Sequence, residues 1–232
     1  MSFHLESEME RPVEAWLNDQ GLTVRRQYRT PWGVCDLVAC RLSEDRVQHR
    51  LSLSQSAGIG SLFRVRLLNE LPDVDASRRG HSVRSLVRKF GEIYSADELE
   101  SHLNKLVASN HAVRSRTGSF FRVNGWVPLH RELIAIELKL SRIAEVVRQA
   151  KANRAFADKS YIALPMAIAE RVAQGSDGDI VRHGLGLIGV TRDSCAEMIS
   201  PDADSGVVNR HQQMHAVEQF WPAVVNAANN SS

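Results

Sequence analysis

Cysteine is scarce: only Cys35, Cys40 and Cys195 occur in 232 residues. Their spacing fits no metal-binding pattern, and an odd number leaves no complete disulfide set. They read as small apolar residues in a reducing compartment, so a cytoplasmic protein is expected. No apolar run approaches the roughly 20 residues that a membrane helix needs, which argues against a membrane partner. The opening MSFHLESEMER is acidic and has no apolar segment, so no signal peptide is expected there. Gly-x-x-x-x-Gly-Lys phosphate loops and Gly-x-Ser-x-Gly elbows are both missing, which removes ATP-driven and serine-hydrolase chemistry. Nine histidines include no pair with convincing metal spacing; His211 and His215 read as an exposed helix face. Lysine is also rare, five against 24 arginines.

What is present is an uneven charge. The formal net charge is only +2, yet residues 46–131 hold 14 Lys/Arg against 7 Asp/Glu. The remainder carries 15 against 20. A basic segment within an acidic frame suits one part that meets a polyanion and another that gathers carboxylates.

The hydrophobic pattern divides the chain the same way. Residues 6–21 predict a helix with Met9, Val13, Trp16 and Leu17 on one stripe, stopped by Gly21. LTVRRQYRT and WGVCDLVACRL predict two strands joined by a Pro-Gly turn. Residues 43–60 are polar. Basic and capped helices follow over 62–72, 82–91 and 95–110, with Ser95 and Glu98 forming a capping box. Two short strands then flank Thr117-Gly118-Ser119. After Pro128 come a strand over 132–142, a helix over 142–158, the strand KSYIALP, a helix over 167–175 and the strand HGLGLIGV. The glycines of that last strand read as close-packing positions. A C-terminal helix over 207–225, broken at Pro222, ends in a fraying NAANNSS tail. The expected organisation is an α/β frame of residues 1–42 and 129–232, with a basic helical domain of residues 43–128 inserted.

The strand ELIAIELKLSR poses a chemical question. Ile134, Ile136, Leu138 and Leu140 alternate as a buried row, while Glu137 and Lys139 share the opposite face. This is the only Glu-x-Lys or Asp-x-Lys in the chain. Asp36, on the second strand, also turns away from an apolar row. Phosphodiester hydrolysis needs a divalent cation held by carboxylates, with a lysine to orient water or to stabilise charge. Asp36 and Glu137 would hold Mg²⁺ or Mn²⁺, with Lys139 beside them. Glu10, on the face of Val13, Glu14 and Leu17, is a further acid that looks toward the sheet.

These motifs resemble the PD-(D/E)XK nuclease superfamily, which includes restriction endonucleases and Holliday junction resolvases. The match runs through ERPVEAWLNDQG, GVCDLVA, IAIELK, RQAKANRAFAD and YIALP, about 140 residues. The resemblance implies a restriction-endonuclease-like mixed sheet flanked by helices. It implies an active site of Glu10 (Glu14 competing), Asp36, Glu137 and Lys139, completed by Gln149 on the following helix. Asp36 and Glu137 are 101 residues apart, far more than a hairpin needs, so the segment between must fold as its own domain.

That inserted segment resembles a winged helix-turn-helix. Its recognition helix would be about 97–109 and its wing about 112–124. Arg78, Arg79, Arg84, Arg88, Lys89, Lys105, Arg114, Arg116 and Arg122 are the expected DNA phosphate contacts. Asp97, Glu98 and Glu100 weigh against confident base reading, and a protein-facing role stays open. The functional expectation is a metal-dependent DNA endonuclease, compatible with a homodimer that presents two sites. The alternative is a DNA-binding regulator or defence-associated protein that cuts weakly or not at all.

Overall fold

The structure, a computed structural model, describes residues 3–123, 126–175, 178–202 and 209–230. A 3₁₀ turn, Glu6–Met9, leads into α1 (Glu10–Asp19), then β1 (Thr23–Thr30) and β2 (Gly33–Leu42). Four helices follow: α2 (Glu44–Ser52), α3 (Leu62–Glu70), α4 (Val83–Phe90) and α5 (Ala96–Ala108). Next come β3 (Ala112–Arg114), β4 (Phe120–Arg122), β5 (His130–Leu138), α6 (Ile143–Asn153) and β6 (Lys159–Pro165). The chain continues as α7 (Met166–Gly175), α8 (Gly178–Arg182), β7 (Gly186–Val190), β8 (Cys195–Ile199), α9 (Arg210–Glu218) and α10 (Trp221–Asn230). Residues 207 and 208 of the expected C-terminal helix and Asn124 of the expected wing lie outside the described residues.

Two compact units result: Met1–Leu42 with His130–Ala216, and Ser43–Leu129 with Val217–Ser232. The final helix, expected to complete the first unit, therefore belongs to the second. α10 begins just before Pro222, so proline starts this helix, where its missing N–H costs nothing, rather than breaking one.

The first unit is a six-stranded mixed sheet in the order β1-β2-β5-β6-β7-β8. The β5-β6-β7 pairs are parallel, and the outer pairs are antiparallel. Helix α1 and the 3₁₀ turn before it cover one face: Met9, Val13 and Leu17 pack on Leu37, Ile134, Ile136 and Leu138. Helices α6, α7 and α8 cover the other through Val146, Ala150, Val172 and Ile180 against Ile162, Leu164 and Leu187. α1 ends in a Schellman closure: Leu22 N–H donates to Leu17 O at 3.1 Å, and Gly21 takes φ +74°, a conformation costly for any other residue. A Cβ at Gly186 would run into the Tyr161 ring, and one at Gly189 would meet Met166 Sδ at 2.6 Å, so both glycines are packing positions. Edge strand β8, which no periodicity announced, is half-buried except at the exposed Glu197.

In the second unit, Leu67, Leu68, Leu86, Leu99, Leu103 and Phe120 are buried. Ser95 Oγ accepts from Glu98 N–H at 3.3 Å while the Glu98 carboxylate accepts from Ser95 N–H at 2.8 Å, the reciprocal cap read in the sequence. β3 and β4 form a two-stranded ribbon, and single bridges join it to Asp73 and His81. The polar stretch after β2 forms helix α2, which buries Val47 and Arg50. The Arg50 guanidinium donates to both Glu218 oxygens, at 2.6 and 2.9 Å, and lies 4.1 Å from the centre of the Trp221 ring. His111, held neutral by burial and by the Arg50 charge with its pKa near 4, accepts a third bond at 3.1 Å. Trp221 Nε1 donates to Gln55 O at 3.1 Å. Among the described residues, no helix is long and apolar enough to cross a membrane.

Candidate active site

Strands β2 and β5 pair with Leu37 opposite Ile136. The next opposed residues in that antiparallel register are Asp36 and Glu137, so their side chains leave the same face of the sheet. Glu137 is only 3% exposed, and its Oε1 accepts from Asn153 Nδ2 of α6 at 2.6 Å. Asp36 Oδ2 accepts from Leu138 N–H at 2.8 Å. Burial, and next the Asp36 charge, push Glu137 up to about 8. Burial also raises Asp36, against the Leu138 N–H, a hydrogen bond with Glu137 and the Lys139 charge, which lower it. Burial and the neighbouring carboxylate thus make Glu137 hold its proton to higher pH than an ordinary glutamate.

Lys139 continues the ladder one residue beyond β5, its N–H donating to Ala163 O at 3.1 Å. Its ammonium lies 3.2 Å from Glu6 and 3.8 Å from Glu145. The turn into α6 passes through Arg142 at φ 57°, ψ 54°, a left-handed conformation unusual for a side-chain-bearing residue. Gln149 lines a cavity of about 100 Å³ together with Glu137, Asn153, Arg148 and Trp32. Its buried Oε1 has no hydrogen-bond partner among the described residues. A larger hollow of about 680 Å³, bordered by Phe3, Leu140, Met166 and Arg192, lies beyond the ends of the parallel strands. It contains neither carboxylate.

The structure thus brings Asp36, Glu137 and Lys139 together and places Gln149 on the cavity that reaches Glu137. Glu10 is elsewhere: it pairs with Arg26 of β1 at 2.8 Å, and Glu14 shares the same guanidinium. The acid beside Lys139 is Glu6, which the sequence reading missed. Its signal was present, since Glu6 is also an acid one helical turn before Glu10. The reading carried one α-helical face from residue 6 to 21, whereas the first turn is 3₁₀, with three residues per turn rather than 3.6. His215, expected on an exposed face, is part-buried, with Nδ1 3.2 Å from Tyr28 Oη.

The donor set fits a hard divalent cation within limits. Burial makes both carboxyl groups harder to ionise, and a bound cation would favour their charged forms. Magnesium commonly takes one or two carboxylates and keeps several waters. Among the described residues, no group of three or more His, Cys, Asp and Glu side chains is placed to hold a metal ion. The fit is therefore to a cation that stays largely hydrated on Asp36 and Glu137.

The basic residues of the second unit fall into two sets. Arg122 is committed to the fold: Nε and Nη2 donate to the Asp73 carboxylate at 2.6 and 2.9 Å, which holds Asp73 below its usual range. Lys89 pairs with Glu70, and Arg114 lies 3.1 Å from Glu100 and over the Phe120 ring. Arg78, Arg79, Arg84, Arg88 and Arg116 are exposed and form no ion pair among the described residues. Lys105 is exposed on α5 in a shallow surface shared with Asp97 and Glu100. No protein-family model, curated protein or solved structure matches the chain.

Proposed function

We propose that this protein is a metal-dependent DNA endonuclease of the PD-(D/E)XK type. The observation that carries the reading is the opposed pair Asp36 and Glu137 on neighbouring strands, with the Lys139 ammonium two residues on. A Mg²⁺ or Mn²⁺ ion held by Asp36 and Glu137 would neutralise the phosphate and polarise an attacking water. The protein's own groups do the rest. Asn153 fixes the Glu137 carboxyl, and the Leu138 N–H fixes Asp36. A bound cation would favour the ionised form of Glu137. Lys139, held by Glu6 and Glu145, orients water and stabilises the charge that develops on phosphorus oxygens. Gln149 offers a buried acceptor at the cavity wall.

In this reading the second unit is a winged-helix-like DNA-docking module. Helix α5 is the recognition helix, the β3–β4 ribbon is the wing, and Arg78, Arg79, Arg84, Arg88 and Arg116 meet phosphates. Many nucleases of this type cut both strands of a duplex with two active sites, so the reading is compatible with a homodimer on DNA. Sedimentation with and without duplex tests that part.

The test of the whole is cleavage of supercoiled, linear and single-stranded DNA with Mg²⁺, with Mn²⁺ and with chelator. Metal-dependent cutting is expected in the wild type. In Lys139→Ala it should fall by about 100-fold or more while DNA binding is kept. Unchanged cutting by that variant would sink the proposal. The second reading, a DNA-binding regulator that does not cut, draws on the close pairing of Lys139 with Glu6 and on a metal site of only two carboxylates. Metal-insensitive binding without cutting by either protein would favour it.

A further inference from the structure

The β1–β2 turn carries a tryptophan whose position the proposed chemistry does not explain. Trp32 is 42% exposed, yet it is held at three points. Its backbone N–H donates to Thr30 Oγ1, and that hydroxyl donates to Gly33 O at 3.0 Å. Its indole Nε1 donates to Asn153 Oδ1 at 3.4 Å. Its ring leans on Phe156, with centroids 6.3 Å apart. Asn153 is the residue that fixes Glu137, so a single amide links the indole to the candidate catalytic carboxyl.

The cavity between the turn and α6 adds a size constraint. At about 100 Å³ it has the volume of roughly three waters, too little for a nucleobase and enough for a phosphate or hydroxyl group. Arg148 stands on its rim, exposed and without an ion pair among the described residues. A strand that puts a phosphate beside Glu137 must therefore leave its base outside, where, among the described residues, the only aromatic ring lining the cavity is Trp32. A base inside a duplex has no free face to offer.

We propose that the turn is a base-stacking platform: Trp32 takes an unpaired nucleobase and Arg148 the adjoining phosphate, so the DNA substrate is single-stranded at the site of cutting. This rests on the nuclease reading. Stacking of this kind is sequence-tolerant, because every base has a π face.

The experiment is run in chelator, where nothing is cut. Tryptophan emission and affinity are measured with a 12-residue oligothymidylate and with a blunt duplex, for wild type, Trp32→Phe and Trp32→Ala. The oligothymidylate should quench wild-type emission, and that quench should vanish in both variants. Single-strand affinity relative to duplex affinity should fall about ten-fold in Trp32→Ala, with Trp32→Phe between. Thermal unfolding of the variants confirms that they are folded. A quench that survives loss of Trp32, or an equal loss of affinity for both DNAs, overturns the proposal. Failure of the nuclease reading is seen separately, as no metal-dependent cutting by the wild type.

Discussion

The raised pKa of Glu137 ties the stability of the protein to pH. Its pKa in the fold is about 8, against an ordinary 4.5. The folded state thus binds more protons than the unfolded state between those values, so stability falls as pH rises. The contribution is full below about 4.5 and lost as pH passes through about 8. Denaturant titrations from pH 5 to 8.5 should show this decline in wild type without metal and a flatter profile in Glu137→Gln. A wild-type profile that rises over the same range would contradict it. Adding Mn²⁺ should restore stability more at pH 8 than at pH 6. A second residue-level prediction separates the two acids of the N-terminal segment. Glu6→Ala should slow cutting by about 10–100-fold, as loss of a group supporting a metal site does, and Glu10→Ala should leave cleavage near wild type. Equal rates would remove Glu6 from the site. The shared sheet face of Asp36 and Glu137 was legible because strand periodicity is strict and one face was apolar. Glu6 was not, because its place depends on a 3₁₀ turn and on Arg26, a partner from another element that attracts Glu10.

The elements differ in how far pattern alone reveals them. Helix α5 was readable from its capping box and its leucines, and Ser95→Ala should cost about 1 kcal/mol. Helix α2 was not, because one of the two residues it buries is an arginine, which no hydropathy rule places inside. Edge strand β8 has no buried face to give it a period. The Arg50–Glu218 pair makes α2 and the last turn of α9 depend on each other. Glu218→Ala leaves a buried charge without its partner and should destabilise by about 3–5 kcal/mol, read as a lower denaturation midpoint. Replacing both partners, as Arg50→Met with Glu218→Leu, should recover most of that loss. If the single variant is neutral, the pair does not hold the unit. Arg122 behaves like Arg50 rather than like a DNA contact. Arg122→Ala should lower stability through Asp73, whereas Arg88→Ala should leave stability alone.

For the whole molecule, the proposed docking on DNA has a signature in salt. Each neutralised phosphate contributes a slope of about −0.9 to log K against log salt concentration, so five arginines at phosphates give about −4 to −5. Titrations between about 50 and 200 mM salt read that slope, and a slope near zero would remove the docking role. Replacing Arg84 should make the slope shallower by about 0.9. The division into units was legible through the charge imbalance, but the return of the chain to the second unit after Ala216 was not, because only the buried partnership of Glu218 and Trp221 with residues near 50–58 reveals it. That return has a consequence during synthesis. Chains emerge from the ribosome N-terminus first, and domains tend to fold as they emerge. Helices α2 to α5 of the second unit leave the ribosome before β5, yet the carboxylate that neutralises Arg50 is made only after the last strand of the sheet. The inserted unit begins to take shape first and can close only last, holding Arg50 in water until Glu218 arrives.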